Sequence, residues 1–248
     1  MINRMLRNIG LQTYDRVRLC GSLRNCVSQY ILPVTGFCNL RCLNCALCGN
    51  DKSSNNHIPD NVSLIKENRF FYYYPKKSLY HIVGGDPLTY EHTAFILAFL
   101  RAQGIVTVLW TNGVFPHFFI ETILPFTDLF VLYSPAVTPE QYREITGKDG
   151  WLNWSETLDY LLGNKKKVVL NCPVTSDTVQ FLPEIYEFAY KKKLILSLHY
   201  TAGKTVLSKE SIAYINRFKR VKDVLVDERK LSRAHFCPAV NPNLIRLF

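Results

Sequence analysis

Glycine is scarce: twelve Gly and twelve Pro among 248 residues together fall below average usage, which excludes collagen-like and low-complexity disordered chains. Long apolar runs are missing too. The longest, Ala94 to Leu100, falls far short of the ~20 residues that a bilayer span needs, so no transmembrane helix is expected. The opening segment MINRMLRNIGLQ interrupts its apolar residues with Arg4 and Arg7. That leaves no continuous hydrophobic stretch for a secretory signal, and a cytoplasmic location is the expectation. No repeat of fixed period and no Pro/Gly/Ser linker divides the chain. With 48% hydrophobic residues it can bury a large core.

Negative charge is the scarcer sign. Thirty Lys plus Arg against twenty Asp plus Glu leave a net charge of +10, which favours anionic partners: a phosphorylated metabolite, nucleic acid or an acidic protein surface. The KKK runs at 165–167 and 191–193 are ambiguous. Each lies just before an apolar strand-like run, where a solvated helix end places basic residues favourably against the helix dipole.

Strand-like runs rich in β-branched and aromatic residues occur at Ser28–Val34, Ser78–Val83, Val106–Trp110, Leu129–Tyr133, Lys167–Cys172 and Leu194–His199. Helical patterns lie between most of them: Glu91–Gln103, Glu156–Leu162, Val179–Tyr190 and Ser208–Val221. Six alternations call for crossover helices between parallel strands. The expected fold is therefore α/β, a partial (β/α)6 barrel of mostly parallel strands over 28–222, with short N- and C-terminal extensions at 1–27 and 223–248. Ligands bind at the carboxyl ends of strands in such sheets. Gly36–Cys48, Gly84–Pro87, Thr111–Gly113 and Ser134 all follow strand ends.

Eight cysteines in a cytosolic chain are read first as metal ligands or catalytic groups, not disulfides. Cys38, Cys42 and Cys45 form a C-x3-C-x2-C loop with Cys48 just beyond, while Cys20, Cys26, Cys172 and Cys237 are scattered; the first three of these read as buried free cysteines, and one cysteine such as Cys237 cannot close a cluster alone. Thiolates hold zinc and iron–sulfur clusters alike. Structural zinc wants four closed ligands, which Cys48 would complete, whereas a four-iron cluster on three cysteines leaves one iron open. GGDP at 84–87, taken alone, is also an ordinary turn.

The ordered set, CNLRCLNC at 38–45, GGDP at 84–87 and TNG at 111–113, resembles the radical S-adenosylmethionine (SAM) superfamily, whose C-x3-C-x2-C follows the first strand. GGDP looks like the family's Gly-Gly-Glu-Pro element, with Asp86 where Glu is commoner. SPAVTPEQYREITGKDG at 134–150 looks like the stretch after strand four in the molybdenum-cofactor and peptide-maturation branch. The likeness covers residues 31–201 or so.

The resemblance implies a [4Fe-4S] cluster on Cys38, Cys42 and Cys45, and SAM chelated at the fourth iron. One-electron cleavage of the sulfonium would yield a 5′-deoxyadenosyl radical that takes a hydrogen atom from substrate. Gly84, Gly85 and Asp86 would meet the SAM ammonium. Asn44 stands where the family places an aromatic residue on adenine, and a polar side chain there can hydrogen-bond the adenine edge. Thr111, Asn112, Ser134 and Asn171 are further candidates for cofactor contacts. His199, which shares a strand face with Ser197, is a candidate for the cofactor or substrate side. In strand five, an inward Asn171 turns Cys172 outward.

The implied partners are a small anionic substrate and a low-potential electron donor such as flavodoxin or ferredoxin, with no membrane. An activase of a glycyl-radical enzyme and a peptide-modifying radical SAM enzyme are alternatives. A non-catalytic zinc or Fe–S module that holds nucleic acid would explain the charge and the cysteines, but not GGDP and TNG in register.

Overall fold

The first six strands are short runs buried along most of their described length, the pattern of parallel sheets covered on both faces. The computed structural model describes residues 29–43, 45, 58–77, 79–200, 207–218, 221 and 223–227. Its strands are β1 Gln29–Thr35, β2 Leu79–Gly84, β3 Val106–Thr111, β4 Leu129–Tyr133, β5 Lys167–Val174, β6 Ile195–Tyr200 and β7 Val224–Asp227. They form one seven-stranded sheet in sequential order, and every pairing is parallel. This is the α/β partial barrel.

The helices are α1 Asn61–Lys66, α2 Phe70–Tyr73, α3 Thr93–Ala102, α4 His117–Ile123, α5 Pro139–Thr146, α6 Trp151–Gly163, α7 Leu182–Lys191 and α8 Lys209–Phe218. Alternate strand residues sort into two cores. Leu32, Ile82, Leu109, Phe130 and Leu170 join the core that includes the helices, whereas Val83, Val108, Trp110, Val131 and Val169 pack together on the opposite face, the barrel interior. Cys172 belongs to the helix side, as the alternation with Asn171 requires. Low in the interior, buried His81 takes an N–H from Trp110 Nε1 at 3.1 Å and faces Gln29 Oε1 at 2.8 Å. Burial pushes its imidazole down to about 3, so it stays neutral.

The sheet has one strand more than the six expected. The seventh, VLVD, lies in the segment read as a C-terminal extension, and four residues are too few to carry a periodicity signal. Its place comes from pairing with β6, Ser197 beside Leu225. The expected 1–27 extension lies outside the described residues. Helix α6 begins at Trp151, five residues ahead of the expected Glu156. Short α1, α2, α4 and α5 went unread because helices of four to eight residues show barely two turns of pattern.

Both KKK runs turn out to be the same device. Lys165 and Lys193 adopt positive φ (56° and 55°) where α6 and α7 end, and the following backbone N–H groups reach back into each helix, Lys166 to Leu161 O and Leu194 to Ala189 O. These are left-handed helix stops leading into a strand. The structure thus favours the solvated-helix-end reading of these lysines over a dedicated anion site.

Candidate functional site

The exits of β1 and β2 are zipped together at the carboxyl end of the sheet. Gly85 N–H donates to Thr35 O and Asp86 N–H to Phe37 O, both at 2.8 Å. A Cβ on Gly84 would lie 2.2 Å from Thr35 O, and one on Gly85 only 2.1 Å from Phe37 O. The glycines are therefore required by the chain's own cysteine loop, which approaches too closely for any side chain.

That loop is fixed at several points. Cys38 Sγ accepts the Leu40 N–H at 3.4 Å and faces Asn112 Nδ2 at 3.6 Å. Arg41 N–H donates to Thr146 O and Leu43 N–H to Ile145 O, each at 3.0 Å, while Cys45 N–H closes a turn on Cys42 O. The end of α5 thus clamps the C-x3-C segment. Gly147 completes the clamp in the left-handed region (φ 67°), where a Cβ would lie 3.1 Å from Arg41 O. Tyr133, at the end of β4, lies beside Cys42, and burial, with Cys42 as a neighbour, raises its phenol well above the ordinary value.

Cys38, Cys42 and Cys45 are half-buried thiols. Burial, helped by the charge of Asp86, pushes the Cys38 thiol up to about 12; only a bound metal would make it a thiolate at neutral pH. Among the described residues no three His, Cys, Asp or Glu side chains are placed to hold a single metal ion. A zinc ion needs donors converging on one point. In a four-iron cluster each cysteine takes a different iron, so three thiols in one loop are a donor set of the right chemistry for that group.

Asp86 is buried, and its carboxylate is aimed into the protein. It accepts Leu88 N–H at 2.9 Å, Asn112 N–H at 2.6 Å and the Thr111 hydroxyl at 3.0 and 3.1 Å. It caps the 3-10 turn Pro87–Thr89 and ties the β2 exit to the β3 exit. Burial pushes its pKa up to about 6 against the opposing pull of these hydrogen bonds. Any SAM contact from this segment would therefore come from its backbone.

Asn112 and Asn39 close a ring with Val114. Asn112 Nδ2 donates to Asn39 Oδ1 at 2.7 Å, Asn39 Nδ2 donates to Val114 O at 2.8 Å, and Val114 N–H returns to Asn112 Oδ1 at 2.8 Å. Further along the sheet, in β5 and β6, Asn171 Oδ1 and His199 Nδ1 lie 3.0 Å apart, both on the interior face and both buried. Ser134 is buried and donates its hydroxyl to Leu132 O, while its N–H meets Asn171 O at 2.9 Å.

Of the residues singled out from sequence, Cys38, Asp86, Thr111 and Asn112 fall into one hydrogen-bonded group, and Ser134, Asn171 and His199 into a second. Asn44 and Cys48 lie outside the described residues. Sequence reasoning missed Asn39, Tyr133 and the Ile145–Gly147 clamp. Asn39 is adjacent to Cys38, but nothing local signals its partner 73 residues away.

No protein-family model and no curated protein matches the chain. Solved structures do match in fold. SuiB of Streptococcus suis bound to S-adenosylmethionine aligns at 16% identity and TM-score 0.60, over 80% of this chain and 50% of that one. TYW1 with a lysine-pyruvate adduct bound aligns at 18% identity and TM-score 0.54, over 94% of this chain and 93% of that one. A domain of pyruvate-formate lyase-activating enzyme from Bacteroides vulgatus aligns at 13% identity and TM-score 0.51, over 59% of this chain and 97% of that one. The fold is that of radical SAM enzymes. The chain spans about half the length of SuiB.

Proposed function

We propose that this chain is a radical SAM enzyme, with Cys38, Cys42 and Cys45 holding a [4Fe-4S] cluster and SAM at its open iron, and that it acts on a small anionic substrate. The observation that carries the reading is the position of the three cysteines. They sit in the loop after β1, at the carboxyl end of a parallel sheet with the radical SAM fold. The cluster and SAM, when bound, supply one-electron cleavage of the sulfonium and a radical able to take a hydrogen atom from an unactivated carbon.

The chain's own residues position and exclude. Gly84 and Gly85 let the cysteine loop lie against the β2 exit, and Asp86 locks the β3 exit beside it. The apolar interior beneath, Val83, Val108, Trp110 and Val131, keeps water from below the mouth. Asn171 and His199 are buried on the interior face, where a polar group of a substrate reaching into the barrel would meet them. The electron would come from a low-potential donor of the flavodoxin or ferredoxin type. No helix among the described residues is long and apolar enough to cross a membrane, and a cytoplasmic location accords with chemistry that needs low potential.

A peptide substrate is the second reading. It is favoured by the fold match to SuiB bound to its precursor peptide SuiA, at TM-score 0.59 over 91% of this chain.

Anaerobic reconstitution tests the reading. About four irons and four sulfides per chain are expected, with 5′-deoxyadenosine formed from SAM under reductant. Cys38→Ala, Cys42→Ala and Cys45→Ala should each lose both, and Cys48→Ala should keep them. Zinc without sulfide, and no SAM cleavage, would leave only the binding-module alternative.

A further inference from the structure

Asn112 is the second residue of TNG, and its side chain is turned toward a cysteine. Its amide orientation follows from its partners and needs no assumption about which terminal atom is nitrogen. The Val114 N–H can only donate, so the Asn112 atom facing it at 2.8 Å is the oxygen. The nitrogen therefore faces Asn39 at 2.7 Å and Cys38 Sγ at 3.6 Å. Asn39 obeys the same logic: its nitrogen faces the Val114 carbonyl, which can only accept, so its oxygen meets Asn112. Each amide fixes the other.

The backbone holds the group in place. Asn112 N–H is bound to Asp86 at 2.6 Å, beside the Thr111 hydroxyl on the same carboxylate, and Asn112 and Asp86 are both buried. One Nδ2 hydrogen serves Asn39 and the other points to sulfur. Leu40 N–H supplies a second donor to the same sulfur at 3.4 Å.

We propose that Asn112 is a positioning residue for the cluster, whose Nδ2–H donated to Cys38 Sγ raises the cluster's reduction potential. The proposal rests on the radical SAM reading above and assigns Asn112 to the iron–sulfur side of the site, in place of SAM. The physical reason is electrostatic. An N–H aimed at a thiolate sulfur draws electron density from it, and this stabilises the reduced cluster, which carries one more negative charge. Asp86 and Asn39 act through Asn112 by holding its amide at that angle.

The test is a redox titration of the reconstituted protein, followed by electron paramagnetic resonance, for wild type and Asn112→Leu. The variant should keep its iron and sulfide, because all three thiolates remain. Its potential should shift to a more negative value, and the signal of its reduced cluster should change shape. A merely structural role would lower the melting temperature of the apoprotein without moving the potential of the loaded one.

An unchanged potential in loaded Asn112→Leu overturns the proposal, and so does a folded variant that binds no cluster. Should Asn112→Leu fail to fold, Asn112→Ser takes its place. Its shorter side chain cannot reach Cys38, and the same negative shift is expected. Wild-type iron and sulfide content separates the two levels. If wild type forms no four-iron cluster the radical SAM reading fails, whereas a normal wild-type cluster with an unmoved variant potential sinks only the role of Asn112.

Discussion

Gly85 and Phe37 touch through their backbones: a Cβ on Gly85 would stand 2.1 Å from the Phe37 carbonyl oxygen and 2.3 Å from its carbon. The contact joins the turn after β2 to the loop that carries Cys38, one residue further on. Gly85→Ala should therefore destabilise the apoprotein by about 2–3 kcal/mol, the scale of overpacking, and weaken cluster retention along with it. Gly163→Ala is the control, since a Cβ there meets nothing within 4 Å and should be neutral or slightly stabilising. Denaturant titration of both variants decides; equal stability would remove the steric account of the GGDP turn.

Asp86 gives the apoprotein a pH dependence of defined sign. Its folded pKa of about 6 lies above the ordinary 3.8, so the associated stability is fully present below pH 4 and lost as pH rises through about 6. The loss is on the order of 3 kcal/mol. Unfolding of wild type and Asp86→Asn between pH 4 and 7 should give curves that differ in slope over that window and run parallel outside it. Parallel curves throughout would mean that Asp86 is ionised over the whole range.

The clamp at the end of α5 predicts a kinetic effect on the cluster. Gly147→Ala strains a residue held at φ 67° and crowds Arg41 O at 3.1 Å, at a cost of about 1–2 kcal/mol. Because Arg41 and Leu43 hang on Thr146 and Ile145, the cysteine loop should loosen. Bleaching of the reconstituted cluster by a chelator should be faster than in wild type. An unaltered bleaching rate would show that the clamp is not what holds the loop.

Asn171 and His199 share one hydrogen bond, so their substitutions should not be independent. Asn171→Ala and His199→Ala should each retain the cluster and each slow substrate turnover by roughly tenfold, with the double variant little worse than either. Full additivity, or unchanged turnover, would take this pair out of the substrate side of the site.

The net charge of +10 makes a prediction about the substrate itself. For an anionic metabolite, apparent affinity should fall as ionic strength rises, while SAM cleavage without substrate should change little if SAM is held at the iron as proposed. A peptide recognised by its side chains should show little salt dependence. Product formation at low and high salt, with SAM saturating, separates the two readings.

The cysteine loop and the two motifs behind it were legible because each is a short contiguous string following a strand. The same is true of strands of five residues or more, whose β-branched and aromatic composition marks them wherever they pack. Asn112 was legible as part of TNG, but its direction was not. Side-chain orientation depends on Asn39 and Val114, and in sequence Asn112 suits a SAM contact just as well. Asp86 is the same case. Its chemistry suits an ammonium ligand, yet folding brings three protein donors to it first.

Composition, periodicity and the order of motifs by themselves determined an α/β chain of parallel strands with three cysteines at the carboxyl end of the first, because these depend on neighbours a few residues apart. Only the tertiary structure decided that the sheet takes a seventh strand, that Gly85 is a glycine for Phe37, that α5 holds the cysteine loop and that Asn112 faces Cys38. Each of those joins segments far apart in the chain, and such contacts leave no mark in the local pattern. They exist because buried donors and acceptors must be satisfied by whatever the fold brings near.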